Sequence, residues 1–85
     1  MLTKAEVVEI LNGAFKPFTC VAELIDYEHG VGLRVYDRSG LVTVTKWECA
    51  SVDLVRNKRE LVLIIAQLRE EVEANGVTLD PWSMP

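Results

Sequence analysis

The stretch from Asn57 to Gly76 reads NKRELVLIIAQLREEVEANG. Its apolar residues recur at the spacing of one face of an amphipathic helix. Asn57 can cap the first turn while Glu60 reaches back to the N–H of the cap, and Gly76 can end the helix in the left-handed conformation. Such a helix must bury its apolar stripe against the rest of the chain. The stripe consists of Leu61, Ile64, Ile65, Leu68 and Val72.

A second helix is predicted near the start of the chain. Thr3 and Glu6 have the spacing of a capping box, and Leu2 and Val7 occupy the two positions of a hydrophobic staple. Pro17 ends this helix, because the residue before a proline disfavours the α region.

Between the two helices the periodicity changes to the alternation of β-strands. In the last of three expected strands, Val42 and Val44 are expected to face the core, which puts Thr43, Thr45 and Trp47 on the opposite face. The strands cover residues 18–25, 31–36 and 41–49.

These elements predict an α+β fold with the order α-β-β-β-α. A register that pairs Asp26 with Val31 places apolar residues opposite one another and Glu23 opposite Arg34, which favours a three-stranded antiparallel meander. Each helix has one apolar stripe, so both most simply pack on the same face of the sheet.

Residues 1–77 are expected to form one domain. Leu54, in the connection before the last helix, is expected to face the same core. The tail, residues 78–85, has two prolines and no periodicity. It can dock through Leu79 and Trp82, or it can stay unanchored as many termini do.

Three short motifs accompany this layout: F-x-P-x-x-C at residues 15–20, L-x-V-x-D at 33–37 and L-R-x-E at 68–71. With them the chain, from Met1 to about Val72, resembles a family of short proteins of unknown function found chiefly in pseudomonads. The resemblance implies the α-β-β-β-α order and a bacterial cytoplasmic setting, and it implies no activity. Trp47 and the tail depart from the family pattern.

Composition narrows the classes of function. The 85 residues have a net charge of −4, which argues against general nucleic-acid binding. No apolar run approaches the ~20 residues of a membrane span, and no export signal is visible, so we expect a cytoplasmic protein without a membrane contact. Cys20 and Cys49 fall far apart in the expected sheet, so both are expected to be reduced.

The sequence offers little catalytic chemistry. His29 is the only histidine and lies in a turn, and there is neither a metal-ligand set nor a glycine-rich phosphate loop. We therefore expect no catalytic residues, no metal and no cofactor. Arg56, Lys58 and Arg59 cluster at the start of the last helix, where cations and free N–H groups together favour an anion. They predict an alternative function, an anion- or RNA-contacting regulator.

The leading prediction concerns the sheet face away from the helices. A solvated face should be mostly polar, but this one is expected to carry large apolar and aromatic side chains. It therefore predicts a non-enzymatic, regulatory or adaptor-like module that binds a protein partner, most simply a second copy in a homodimer. Two alternatives stay open: a bulge near Lys46 would turn Trp47 into the core, and the tail could cover the face. The residues predicted to bind protein are Val21, Ile25, Arg34, Tyr36, Leu41 and Trp47.

Overall fold

The computed structural model describes all 85 residues, and it confirms the α+β class and the α-β-β-β-α order. One open antiparallel sheet has the strand order β1-β2-β3. A short additional helix precedes the last one. The elements are α1 (Lys4–Gly13), β1 (Thr19–Ile25), β2 (Gly30–Tyr36), β3 (Thr43–Cys49), α2 (Val52–Val55) and α3 (Lys58–Glu73).

The helix starts follow the capping rules closely. At α1, Thr3 N–H donates to Glu6 Oε1 (3.0 Å) and Glu6 N–H donates to Thr3 Oγ1 (3.1 Å), which completes the capping box. At α3, Asn57 Oδ1 accepts from the N–H groups of Arg59 (2.9 Å) and Glu60 (3.3 Å). The expected return bond from the Glu60 side chain is not formed, so Asn57 alone caps α3.

The turn between β1 and β2 begins one residue earlier than expected. Asp26, Tyr27 and Glu28 all have positive φ, and residues 26–29 form the turn. None of the three is a glycine, the residue that adopts this region most readily. The expected pairing of Asp26 with Val31 is therefore wrong.

The turn shifts the register of β1 against β2 by two residues. Leu24 pairs with Val31, and Glu23 pairs with Gly32 in place of Arg34. A shift of two residues leaves every side chain on its expected face, because the side-chain period of a strand is two. Val21, not Glu23, is the residue directly opposite Arg34.

A β-bulge in β3 changes the face of its later residues. Val35 pairs with Thr45, and the next residue, Tyr36, pairs with Thr43, so Val44 is the extra residue. Beyond the bulge Trp47 lies opposite Leu33 and faces the core. The expectation that Trp47 lies on the open face is wrong, because one extra residue reverses the alternation for the rest of the strand.

One hydrophobic core lies between the sheet and the helices, and every fully buried side chain in it is apolar. The stripe of α3 contributes Leu61, Ile65, Leu68 and Val72, while Leu63 on the far side of the helix is 60% exposed. The helices all contribute to this single core, which leaves the other face of the sheet open.

The connection before α3 contributes residues to the core other than the one expected. Val52 and Val55 of α2 are buried, whereas Leu54 is 52% exposed. The prediction for Leu54 is wrong because α2 ends before the Asn57 cap, so its helical phase does not continue into α3.

The tail has no regular secondary structure, but it is docked. Leu79 is buried, and Trp82 and Met84 pack against the core. Asp80 N–H also donates to the carbonyl of Lys16 at 2.8 Å. The tail therefore lies on the helix side and leaves the open sheet face uncovered.

Candidate functional site

The open face of the sheet forms the larger of two surface grooves, with a volume of about 310 Å³. The strand alternation places its side chains in three columns, one on each strand. Val21 is half exposed there and is one of the large apolar side chains that the fold leaves accessible. The face consists of Val21, Glu23 and Ile25 on β1, Gly30, Gly32, Arg34 and Tyr36 on β2, and Lys46 and Glu48 on β3.

Four of the six residues predicted to bind protein lie on this face: Val21, Ile25, Arg34 and Tyr36. The other two do not. Trp47 packs against the core, and Leu41 lies in the turn between β2 and β3, where it is 87% exposed. The face is therefore smaller and more charged than the sequence predicted.

The open face lacks side chains at two positions of the central strand, Gly30 and Gly32, and the second of them lines the groove. A Cβ atom at Gly30 would lie 2.7 Å from the Cys49 carbonyl oxygen, so close approach of the backbone requires glycine there. A Cβ atom at Gly32 would lie 3.3 Å from Glu48 Cγ, and it would make ordinary contacts with the Trp47 carbonyl oxygen at 3.7 Å and with Ile25 Cγ2 at 3.8 Å. Gly32 therefore leaves a shallow dent between the Glu48 and Ile25 side chains, and only the exposed Glu48 side chain would have to shift to admit a Cβ atom there.

The charged side chains of the open face form two rows across the strands. Arg34 and Lys46 are paired neighbours in one row. Gly32 pairs with both Glu23 and Glu48, so a carboxylate stands on each side of the dent in the next row. The rows are two residues apart along the strands, about 7 Å. The face thus has a cationic row beside an anionic row, with no net charge.

These charges have few partners within the chain. Lys46 Nζ lies 3.8 Å from Glu48 Oε1, with both side chains more than half exposed. Such a surface pair contributes little to stability. Neither Arg34 nor Glu23 takes part in a side-chain hydrogen bond or in either salt bridge of the structure. Their charges are solvated and accessible to a partner.

Arg56, one of the three cations of the predicted anion site at the start of α3, forms structural contacts within the chain. Arg56 Nε donates to the carbonyl of Leu2 at 2.7 Å, and Arg56 Nη1 lies 3.0 Å from Asp53 Oδ1. Leu2 N–H donates in return to the Arg56 carbonyl at 2.9 Å. Arg56 therefore joins the N-terminus to the end of α2.

The remaining two cations, Lys58 and Arg59, stay exposed. Two N–H groups of that helix turn already donate to Asn57 Oδ1. An anion would have to displace the cap to reach them. The geometry gives the anion-binding alternative less support than the open face receives.

The two cysteines are free and lie on different edge strands. Burial raises the pKa of the Cys20 thiol to about 12. Cys49 is partly buried, and its thiol donates to the Ser51 carbonyl at 3.3 Å. The His29 side chain is exposed in the β1–β2 turn, and its carbonyl accepts from Val52 N–H at 2.7 Å. No three His, Cys, Asp or Glu side chains lie close enough together to hold a metal ion.

Local hydrogen bonds lower the pKa values of two exposed carboxyl groups, those of Glu6 and Asp37. The Thr3 cap lowers the pKa of Glu6, chiefly through its backbone N–H. The Ser39 hydroxyl, with backbone N–H groups of the β2–β3 turn, lowers the pKa of Asp37. Both groups stabilise local turns, and neither lies on the open face.

The sequence did not predict two side chains, Arg69 and Asn12, whose hydrogen bonds affect which surfaces of the sheet and tail stay accessible. Arg69 donates to the carbonyl of Ala14 through Nη1 and to that of Asp80 through Nη2, both at 2.6 Å. Asn12 Oδ1 accepts from Ala22 N–H at 2.7 Å, which occupies one backbone donor of the edge strand β1. Neither contact has a local sequence signal. The dent does have a local sequence signal, because Gly30 and Gly32 alternate with the apolar residues Val31 and Leu33 in one strand.

Comparison of the chain with protein families, with curated proteins and with solved structures found no match. The resemblance to the pseudomonad family therefore stays a prediction. None of the helices has the length and apolar character needed to cross a bilayer.

Proposed function

We propose that this protein acts by binding another protein through the open face of its sheet, as a regulatory or adaptor-like module without catalytic activity. One observation carries the proposal. All three helices and the tail pack on one side of the sheet, while a groove with apolar and charged side chains remains uncovered on the other.

The chemistry of the groove suits a protein surface. Val21, Ile25 and Tyr36 supply apolar contact area, and Arg34 supplies a charged fork of donors. Tyrosine and arginine are enriched among the residues that dominate binding energy at interfaces. A groove of about 310 Å³ is at the small end of ligand pockets, and it can accept one or two protruding side chains.

The titratable groups of the groove support binding in preference to catalysis. They are two carboxylates, one guanidinium, one ammonium and one phenol, and no thiol or imidazole is among them. The groove therefore lacks the hydroxyl–imidazole and thiol–imidazole pairs on which many nucleophilic enzymes depend. The two free thiols also suit a reducing cytoplasm, which is where we place the module.

Site-specific photo-cross-linking in the cells that produce the protein tests the proposal. A photoreactive residue at Val21 samples the open face, and the same residue at Leu63 is the matched control, because both positions are at least half exposed. We expect a covalent protein adduct from position 21 and none from position 63. The proposal fails if position 21 gives no adduct, or if both positions give the same adducts.

A further inference from the structure

We infer that the occupant of the open face is a second copy of this chain, in a twofold dimer where Arg34 of each copy enters the Gly32 dent of the other. The inference rests on the proposed function, because it names the partner for the same surface. It follows from the arrangement of charges on the face and from the shape of its floor.

The two charged rows are complementary to their own twofold image. A twofold axis that lies between two stacked faces, across the strands and midway between the rows, brings each cationic row over the anionic row of the other copy. Each strand then lies over the same strand of its partner. Lys46 meets Glu48 of the second copy, and Arg34 meets Gly32 with a carboxylate on each side.

The dent can admit the incoming guanidinium through a movement of one exposed side chain, Glu48. Stacked sheets lie about 10 Å apart, and both surfaces normally fill that space with side chains. Gly32 adds no side chain to that space, but it is buried beside the Glu48 and Ile25 side chains. The long Arg34 side chain can therefore occupy the gap when the exposed Glu48 side chain turns aside. Its planar fork of donors can then reach Glu23 on one wall and Glu48 on the other.

The lack of ion-pair partners for Arg34 and Glu23 within the chain also favours the twofold dimer. Arg34 and Glu23 have no charged partner within their own chain, so the dimer does not have to break an existing ion pair of theirs. A face with two positive and two negative side chains gains little from a strongly acidic or strongly basic partner. It gains most from a surface with the same two rows in reverse order, and a second copy has that surface.

The size of the face predicts a weak dimer. Three strands of seven residues span about 14 by 23 Å, whereas standard interfaces bury about 800 Å² on each partner. The dimer should therefore form and dissociate with concentration. Its dissociation constant should be sensitive to salt, because the charges that hold it together are close to solvent.

A charge exchange tests the geometry directly. The first variant, Arg34→Glu with Lys46→Glu, makes both rows negative. The second, Glu23→Lys with Glu48→Lys, makes both rows positive. Each variant alone should lose self-association by about tenfold or more. An equimolar mixture should form a heterodimer, because each altered row then faces a row of opposite charge.

Sedimentation equilibrium from about 10 μM to about 1 mM protein, the range in which weak interfaces assemble, measures all three cases. The control variant is Lys4→Glu with Arg59→Glu, which changes the net charge as the first variant does but lies off the open face. It should dimerise as the wild type does. Circular dichroism establishes that every variant is folded.

A steric variant gives an independent readout. Gly32→Val fills the dent with a residue that favours strands. It should keep the fold and weaken the dimer by about tenfold or more, as one unfilled central pocket typically does at interfaces. Thermal unfolding at low concentration and sedimentation at high concentration separate the two effects.

Three outcomes overturn the inference: a wild type that is monomeric at 1 mM, a mixture of the charge variants that does not associate, or a Gly32→Val variant that dimerises normally. The cross-linking experiment at Val21 distinguishes these failures from failure of the proposed function. An adduct with a different protein there, from a chain that is monomeric alone, would overturn the dimer and support the binding module.

Discussion

The two glycines of β2 provide a direct test of the structure, because the same substitution should have opposite effects at Gly30 and Gly32. Alanine in place of glycine stabilises a protein by about 0.4–1 kcal/mol where the backbone conformation permits it, by restricting the unfolded chain. Neither glycine has a positive φ, so this gain is available at both positions. The difference comes from what the added methyl group meets.

At Gly30 the methyl carbon would lie 2.7 Å from the Cys49 carbonyl oxygen and 3.0 Å from Ile25 Cγ1. The oxygen belongs to the backbone and can move only with its strand. Overpacking of this kind costs about 1–3 kcal/mol, so the net loss should be about 1–2 kcal/mol. At Gly32 the nearest atom is Glu48 Cγ, in a side chain that is more than half exposed and can turn away.

Thermal unfolding at low protein concentration, where the dimer does not contribute, measures the difference. For a domain of this size 1 kcal/mol corresponds to about 4–8 °C in Tm. Gly30→Ala should lower Tm by about 4–16 °C, and Gly32→Ala should raise it by about 2–8 °C. Equal shifts of the same sign at the two positions would refute the assigned register of β2 and β3 and with it the dent.

Three further predictions test the core, the thiols and the tail. Leu68→Ala should lower the free energy of unfolding by about 2–5 kcal/mol and Leu63→Ala by much less, because only Leu68 is buried; similar losses in urea titrations would contradict the assignment of helix faces. Iodoacetamide at pH 8 should modify Cys49 well before Cys20, whose pKa is about 12 and whose side chain is buried; mass spectrometry of the two peptides would expose equal rates. Arg69→Lys should release the tail, because one ammonium cannot bond both carbonyls in the planar geometry that arginine provides; unchanged hydrogen exchange in the tail would argue against this role.

The sequence predicted the elements whose signals are local. Thr3 and Glu6 are three residues apart, and their reciprocal bonds form as the spacing predicts. The stripe of α3 and the alternation of the strands are equally local, and they were enough to predict the order of the elements and the single core. The fold class depends on those patterns alone, so it could be predicted.

The register could not be predicted, because nothing in the turn residues indicates it. Asp26, Tyr27 and Glu28 adopt positive φ without a glycine or an Asn-Gly pair among them. The bulge at Val44 also has no sequence signal, because the residues around it favour strands. Of these two errors only the bulge changed the site, because an insertion of one residue moves Trp47 to the other face, whereas a shift of two does not.

The uncovered state of the open face depends on contacts that no local pattern reveals. The tail carries Trp82 and Leu79, which are apolar enough to have covered the groove. Instead Asp80 bonds Lys16 through its N–H and Arg69 through its carbonyl, and these two bonds direct the tail to the helix side of the sheet. Arg69 therefore helps to leave the groove open, because it holds the tail against the helix side of the sheet, where Leu79 is buried. The apolar side chains of the groove are left to a second molecule.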